Sequence, residues 1–148
     1  MSRFRTIMHP TDFSRASTPA FKRAVEMAKD NRAQLLIVHV LAPAPMMVGE
    51  GYVSPKVYED MDAAARAGAQ KQLRRLVEQA KRSGVRARPV LLEGIAHERI
   101  AQTARSRKAD LLVIGTHGRT GFARFFLGSV ASRVLTIAPC PVLTVRGK

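Results

Sequence analysis

A chain of 148 residues, 46% of them hydrophobic, suits one domain with a real core, and disorder is not its default. No apolar run approaches the ~20 residues that span a bilayer, and the charged opening MSRFRTIMHPTD is unlike a secretory leader. The single cysteine, Cys140, excludes an internal disulfide framework and fits a cytoplasmic protein. A net charge of +14, from 25 basic against 11 acidic residues, should attract polyanions: nucleic acid, anionic lipid surfaces or nucleotides. The basic residues, 18 of them arginine, are dispersed without any run of five, aromatics make up 5% and Trp is absent. Stacking platforms for single strands are therefore not evident, and a solvated basic surface is preferred over dedicated nucleic-acid binding.

In chain order, Phe4 to Met8 reads as a first strand ending at Pro10. Ser17 or Thr18 can cap a first helix with Pro19 at its first position, and Phe21, Ala24, Val25 and Ala28 share one face. Leu35 to Val40 is a continuous apolar run, the signature of a fully buried parallel strand. Leu41 to Ser54, rich in Pro, Met and Gly, reads as a flexible connection; Met46 and Met47 could line a pocket or a partner surface, with a mobile apolar loop the plainer reading. Pro55 opens a long second helix whose stripe is Val57, Met61, Ala64, Ala65, Gly68, Leu73, Leu76, Val77 and Ala80, stopping at Ser83-Gly84. Val85 to Leu92 reads as a third strand. Ala96 to Arg107 reads as a third helix with Ile95, Ile100 and Ala104 on its apolar side. Leu111 to Ile114 is a fourth, buried strand, Val130, Val134, Leu135 and Ile137 carry a fourth helix, and Val142 to Val145 is a last strand. Five strands with four intervening helices predict an open, parallel, doubly wound sheet with helices on both faces.

The segment 112–130, LVIGTHGRTGFARFFLGSV, is the stretch whose spacing implies chemistry. A strand, a glycine-rich loop and a helix N-terminus in this order make an anion site. Glycines let backbone N–H groups approach an oxyanion with no Cβ between them, and the first helical turn offers unpaired donors. Arg119 and Arg124 add positive charge where phosphates would lie. Neither the Walker pattern nor the dinucleotide fingerprint fits, since the glycines run G-x-x-G-x-x-G late in the chain.

Gly115, Gly118, Gly128 and Ser129 fill G-x2-G-x9-G-[S/T], which resembles the ATP-binding signature of the universal stress protein family. His9-Pro10-Thr11-Asp12-Phe13-Ser14, Val38-His39-Val40 and Pro139-Cys140-Pro141-Val142-Leu143 are similar to that family's first, second and last strand regions, so the resemblance covers nearly all of residues 1–148. It implies a single-domain, Rossmann-like fold of the adenine nucleotide alpha hydrolase-like type with strand order 3-2-1-4-5. The first and fourth strands then lie side by side, and a crevice opens beyond their carboxyl ends.

The resemblance further implies ATP as ligand, with a magnesium ion arriving on the triphosphate. It puts Pro10, Thr11 and Asp12 near base and sugar, and the Val40 backbone against adenine. Gly115, His117, Gly118, Arg119, Gly128, Ser129 and Val130 would surround the phosphates. Plainer readings stand beside these: Asp12 begins or caps the first helix, Val40 is core, Gly128-Ser129 is an N-cap and His117 a solvated loop histidine. Phe125 and Phe126 stand where the family has smaller aliphatics. Cys140, between two prolines, reads as a small buried apolar residue. His9, His39 and His97 share no metal-ligand spacing.

No nucleophile–base pair or paired carboxylates stand out, so an efficient hydrolase is not expected. The leading expectation is an ATP-binding regulatory or stress-resistance module with at most slow turnover. It would be a homodimer built on the exposed apolar edge Val142, Leu143, Thr144 and Val145, as the family commonly is. The alternatives are a dimeric interaction platform that binds no nucleotide and a basic nucleic-acid-associated protein.

Overall fold

The computed structural model describes residues 3–43, 47–48, 51–52, 54–116 and 127–147. Five strands form one sheet: β1 (Thr6–Pro10), β2 (Gln34–Leu41), β3 (Arg86–Glu93), β4 (Leu111–Gly115) and β5 (Val142–Val145). They lie in the order β3-β2-β1-β4-β5 with every pairing parallel, which is the expected 3-2-1-4-5 arrangement. Between them run α1 (Thr18–Asn31), α2 (Pro55–Arg82), α3 (Ala96–Ser106) and α4 (Ser129–Ile137). Within the connection expected to be flexible, Met47–Val48 pairs antiparallel with Gly51–Tyr52.

The period-2 alternation of the central strands decides which helix covers which face. Ile7, Leu35, Ile37, Leu111 and Val113 point to one side and pack with Phe21 and Ala24 of α1 and Leu73 and Val77 of α2. Met8, Leu36, Val38, Leu112 and Ile114 point to the other and pack with Ile100 and Ala104 of α3 and Ala131 and Val134 of α4. Strands buried on both faces read as unbroken apolar runs, which is why β2 and β4 were visible in the sequence.

Several expectations are corrected. The first strand begins at Thr6 rather than Phe4 and continues to Pro10. Ser17 is the N-cap of α1, but its hydroxyl donates to the Ser14 carbonyl (2.8 Å) instead of capping the helix. On α2, Ala69, Leu73, Val77 and Ala80 are buried, whereas Val57, Met61, Ala64, Ala65 and Gly68 are exposed. The reason is length. A helix of 28 residues extends about 42 Å, while the neighbouring strand of 8 residues spans about 26 Å, so the first turns of α2 overshoot the carboxyl edge of the sheet. Ile95 is 54% exposed because it is the N-cap of α3, outside the helical stripe. Of the apolar residues expected to carry α4, only Val134 is buried; Leu135 and Ile137 are exposed. Cys140 is half-buried and packs at the rim of the core, where burial, aided by the Asp110 charge, raises its thiol pKa.

Two polar contacts fasten β1 to β4 across more than a hundred residues of chain. At the start of the pair, one Asp110 carboxylate oxygen accepts from the amides of Arg5 (2.8 Å) and Thr6 (2.9 Å). Further along, His9, fully buried, donates from Nδ1 to the Val113 carbonyl at 2.9 Å. Its Nε2 has no hydrogen-bond partner and its ring lies 5.9 Å from that of Phe21. Burial holds this imidazole neutral, with a pKa lowered from 6.5 to about 4 against the smaller, raising effects of the Val113 bond and Asp12.

The unfolded chain therefore binds a proton that the folded chain refuses, and the stability due to neutral His9 is complete above pH 6.5 and is lost as pH falls toward 4. Between about pH 7 and about pH 5 the loss should be about 2 kcal/mol by linkage. Urea unfolding at the two pH values measures it. In His9→Gln, which keeps a donor for Val113 but does not titrate, this component should vanish; equal pH slopes in the two proteins would exclude His9 as its source.

Candidate nucleotide-binding cleft

The chain leaves β1 toward the α1 face and β4 toward the α4 face, so the adjacent carboxyl ends of these strands part and leave a crevice. The described residues enclose a cleft of about 260 Å³ there. Its walls are the end of β1 and the following loop (Pro10, Thr11, Asp12), the end of β2 (Val38, His39, Val40), the end of β4 (Ile114, Gly115, Thr116), the first two turns of α3 (Ala96, Ile100) and the start of α4 (Gly128, Ser129, Val130, Ala131).

Of the residues singled out from the sequence, Pro10, Thr11, Asp12, Val40, Gly115, Gly128, Ser129 and Val130 line this one cleft. His117, Gly118 and Arg119 lie outside the described residues, as do Gly121, Arg124, Phe125 and Phe126. Ser17, Val38, His39, Ala96, Ile100, Ile114, Thr116 and Ala131 were not singled out as site residues. The alternation of the strands carries a signal for Val38 and Ile114, which belong to the rows facing α3 and α4. No local signal marks Ala96 or Ile100, because only the docking of α3 brings them to the rim.

The loop after β1 is held by a closed set of hydrogen bonds. Since Ser17 Oγ donates to the Ser14 carbonyl, it accepts from Thr11 Oγ1 at 3.1 Å; Thr11 Oγ1 in turn accepts from the Phe13 amide at 3.0 Å. Asp12 Oδ1 accepts from the Ser14 amide at 2.9 Å, so Asp12 braces the loop while it also lines the cleft. Phe13 adopts a left-handed backbone with φ of 64°, uncommon for a bulky residue, and its ring stacks on His39 with centroids 4.3 Å apart. His39 donates from Nδ1 to the Thr11 carbonyl (2.8 Å), and the Thr11 amide donates to the Val38 carbonyl (2.8 Å). The ends of β1 and β2 thus form one cross-braced wall.

The opposite wall is made of main chain. Gly128, rather than Ser129, is the N-cap of α4, and no side chain caps the helix. The amides of its first turn have no intrahelical acceptor and carry the positive end of the helix dipole, roughly half a charge. Gly128 has φ −57° and ψ 153°, a conformation open to any residue. The backbone angle therefore does not require a glycine here. Among the described lining residues Asp12 is the one with a formal charge, and what these residues offer an anion is the helix and backbone dipoles. Among the described residues no group of three or more metal-ligating side chains is gathered.

The fold has close counterparts among known proteins. The profile described as the Universal stress protein family matches residues 3–146. A universal stress protein of Methanocaldococcus jannaschii is 35% identical over 143 residues, covering 97% of this chain and 82% of the relative. Universal stress protein UspA from Lactobacillus plantarum superposes with a TM-score of 0.82 at 26% identity, covering 99% of this chain and 100% of that one. A universal stress protein crystallised in complex with cAMP superposes with a TM-score of 0.74, also at 26% identity, covering 99% and 100%. With the family profile spanning all but a few terminal residues, the chain belongs to the universal stress protein family.

Proposed function

We propose that the cleft binds an adenine nucleotide, with ATP the expected ligand, and that the protein is a cytoplasmic, nucleotide-responsive stress-resistance module. The observation that carries this reading is the convergence of two chemically unlike walls on one cavity. One end offers apolar surface from Val38, Val40, Ile100 and Ile114 beside the polar groups of Asp12 and His39, which suits a flat base and its ribose. The other offers the uncapped start of α4 and the side-chain-free Gly115 and Gly128, which suits phosphate oxygens. The cAMP complex of a relative is in keeping with an adenine nucleotide as occupant.

In this reading His39, whose Nδ1–H is used on the Thr11 carbonyl, presents Nε2 as an acceptor for an amine or hydroxyl of the ligand. Ser129 and Val130 donate their amides to phosphate. A magnesium ion, a hard cation that retains water, would be held mainly by the phosphate oxygens it arrives with. Donors of this kind stabilise bound phosphate in ground and transition state alike. His9, next in sequence to the cleft residue Pro10, is sealed in the core with Nδ1 committed to the Val113 carbonyl, a poor position for a general base. Turnover is accordingly slow at most.

We further infer a homodimer through β5, the edge strand beyond β4. The amides of Leu112 and Thr116 donate to the carbonyls of Pro141 and Val145, so odd-numbered residues of β5 face β4 and the backbone groups of Val142 and Thr144 face the open edge. Exposed Leu135 and Ile137 on α4 add apolar surface.

Calorimetry with ATP tests the cleft. Gly128→Val should retain the fold, because its φ and ψ suit any residue, and should bind at least about tenfold more weakly as its branched Cβ enters the phosphate path. Undiminished affinity in the folded variant would sink the cradle, and nucleotide-free protein that ignores added ATP would favour the interaction-platform reading. Sedimentation tests the edge. Leu143 packs against the core and Leu143→Lys perturbs edge and core together, whereas Thr144→Pro removes only an outward donor. Both should be monomeric; an unchanged dimer in Thr144→Pro rejects this interface.

A further inference from the structure

Behind the loop that follows β1, on the side away from the nucleotide cleft, lies a second cavity of about 190 Å³ between that loop, α1 and α2. Its lining divides by chemistry. Phe13, Phe21 and Leu76 supply an apolar wall, and Ser14, Arg75 and Gln79 supply polar groups. Ser14 Oγ is buried and has no hydrogen-bond partner. Buried hydroxyls are ordinarily satisfied, so this one is a donor without an acceptor. Arg75 is exposed and joins no ion pair among the described residues, where the pairs formed belong to Arg23 and Arg66. No described residue lining the cavity is acidic.

We propose that this cavity binds a small carboxylate carrying a ring-sized apolar body. An apolar cavity of about 150 Å³ accepts benzene, and the space here is comparable, with the exposed Arg75 among its lining residues. The planar fork of Arg75 matches a carboxylate in geometry and charge, and the Ser14 hydroxyl and Gln79 amide supply further donors. The aromatic wall disfavours a bare inorganic anion, which would gain nothing from Phe13 and Phe21. Thr11 and Ser17 line both cavities, so the two sites share a wall, but this site requires no nucleotide and does not depend on the reading of the cleft.

The test is an amide-resolved NMR titration of the full chain with sodium benzoate, alongside benzyl alcohol and inorganic phosphate. Saturable shifts at Phe13, Ser14 and Gln79 are expected, with both comparison ligands at least about tenfold weaker. Arg75→Gln should weaken benzoate at least about tenfold while Arg75→Lys keeps part of the affinity, since only the bidentate geometry is lost. Absence of saturable shifts, equal binding by Arg75→Gln, or shifts centred on Gly115 and Ser129 would each overturn the proposal; the last would assign the anion to the nucleotide cleft.

Discussion

The lateral pairing of β1 with β4 is the constraint on which the rest of the molecule depends. These strands stand about a hundred residues apart in the chain, and closing so long a loop costs entropy before any contact repays it. The structure meets that cost with polar contacts that admit one register. Asp110 takes both leading amides of β1, and His9 reaches through the core to the Val113 carbonyl. A shift of one residue would lose the paired Asp110 contacts and leave the buried Val113 carbonyl without its His9 donor. Because β1 and β4 send their chains to opposite faces, fixing them side by side also fixes a crevice between the departing segments.

From that crevice the division of labour follows. The side formed by β1 and β2 is stiffened by side chains, with Thr11, Ser17 and His39 each engaged in the bracing and Phe13 held in a left-handed backbone that only such surroundings maintain. The side formed by α4 does the opposite and leaves its donors without caps. A rigid, shape-selective wall facing an electrostatically open one is a suitable geometry for gripping a flat heterocycle at one end and a flexible anion at the other.

The price of packing everything against a short sheet is visible in the helices that do not fit it. α2 is long enough to leave its first turns beyond the sheet edge, with Val57 and Met61 in solvent, and α4 leaves Leu135 and Ile137 exposed. The bracing of the β1 loop likewise leaves Ser14 Oγ buried and unpartnered in a separate hollow. These features lie outside the core's own requirements.

Much of this was legible in the chain itself. Continuous apolar runs at Leu35–Val40 and Leu111–Ile114 announce strands buried on both faces, Pro55 and Ser83-Gly84 punctuate α2, and the glycine spacing points to the two strand and helix ends, Gly115 and Gly128-Ser129, that line the cleft. These are local signals, carried by periodicity, dihedral preference and the absence of Cβ atoms. The strand order was available only through resemblance, since no local pattern reports which strands become neighbours. What the tertiary structure alone decided is everything set by contacts distant in sequence. It gave His9 to the core as a neutral donor, His39 to the wall of the cleft, Ile100 to its rim, and the first half of the α2 stripe to solvent. A side chain's burial and partners depend on which surface packs over it, and that surface is set by the closure of β1 against β4, a long-range event with no trace in any short window of residues.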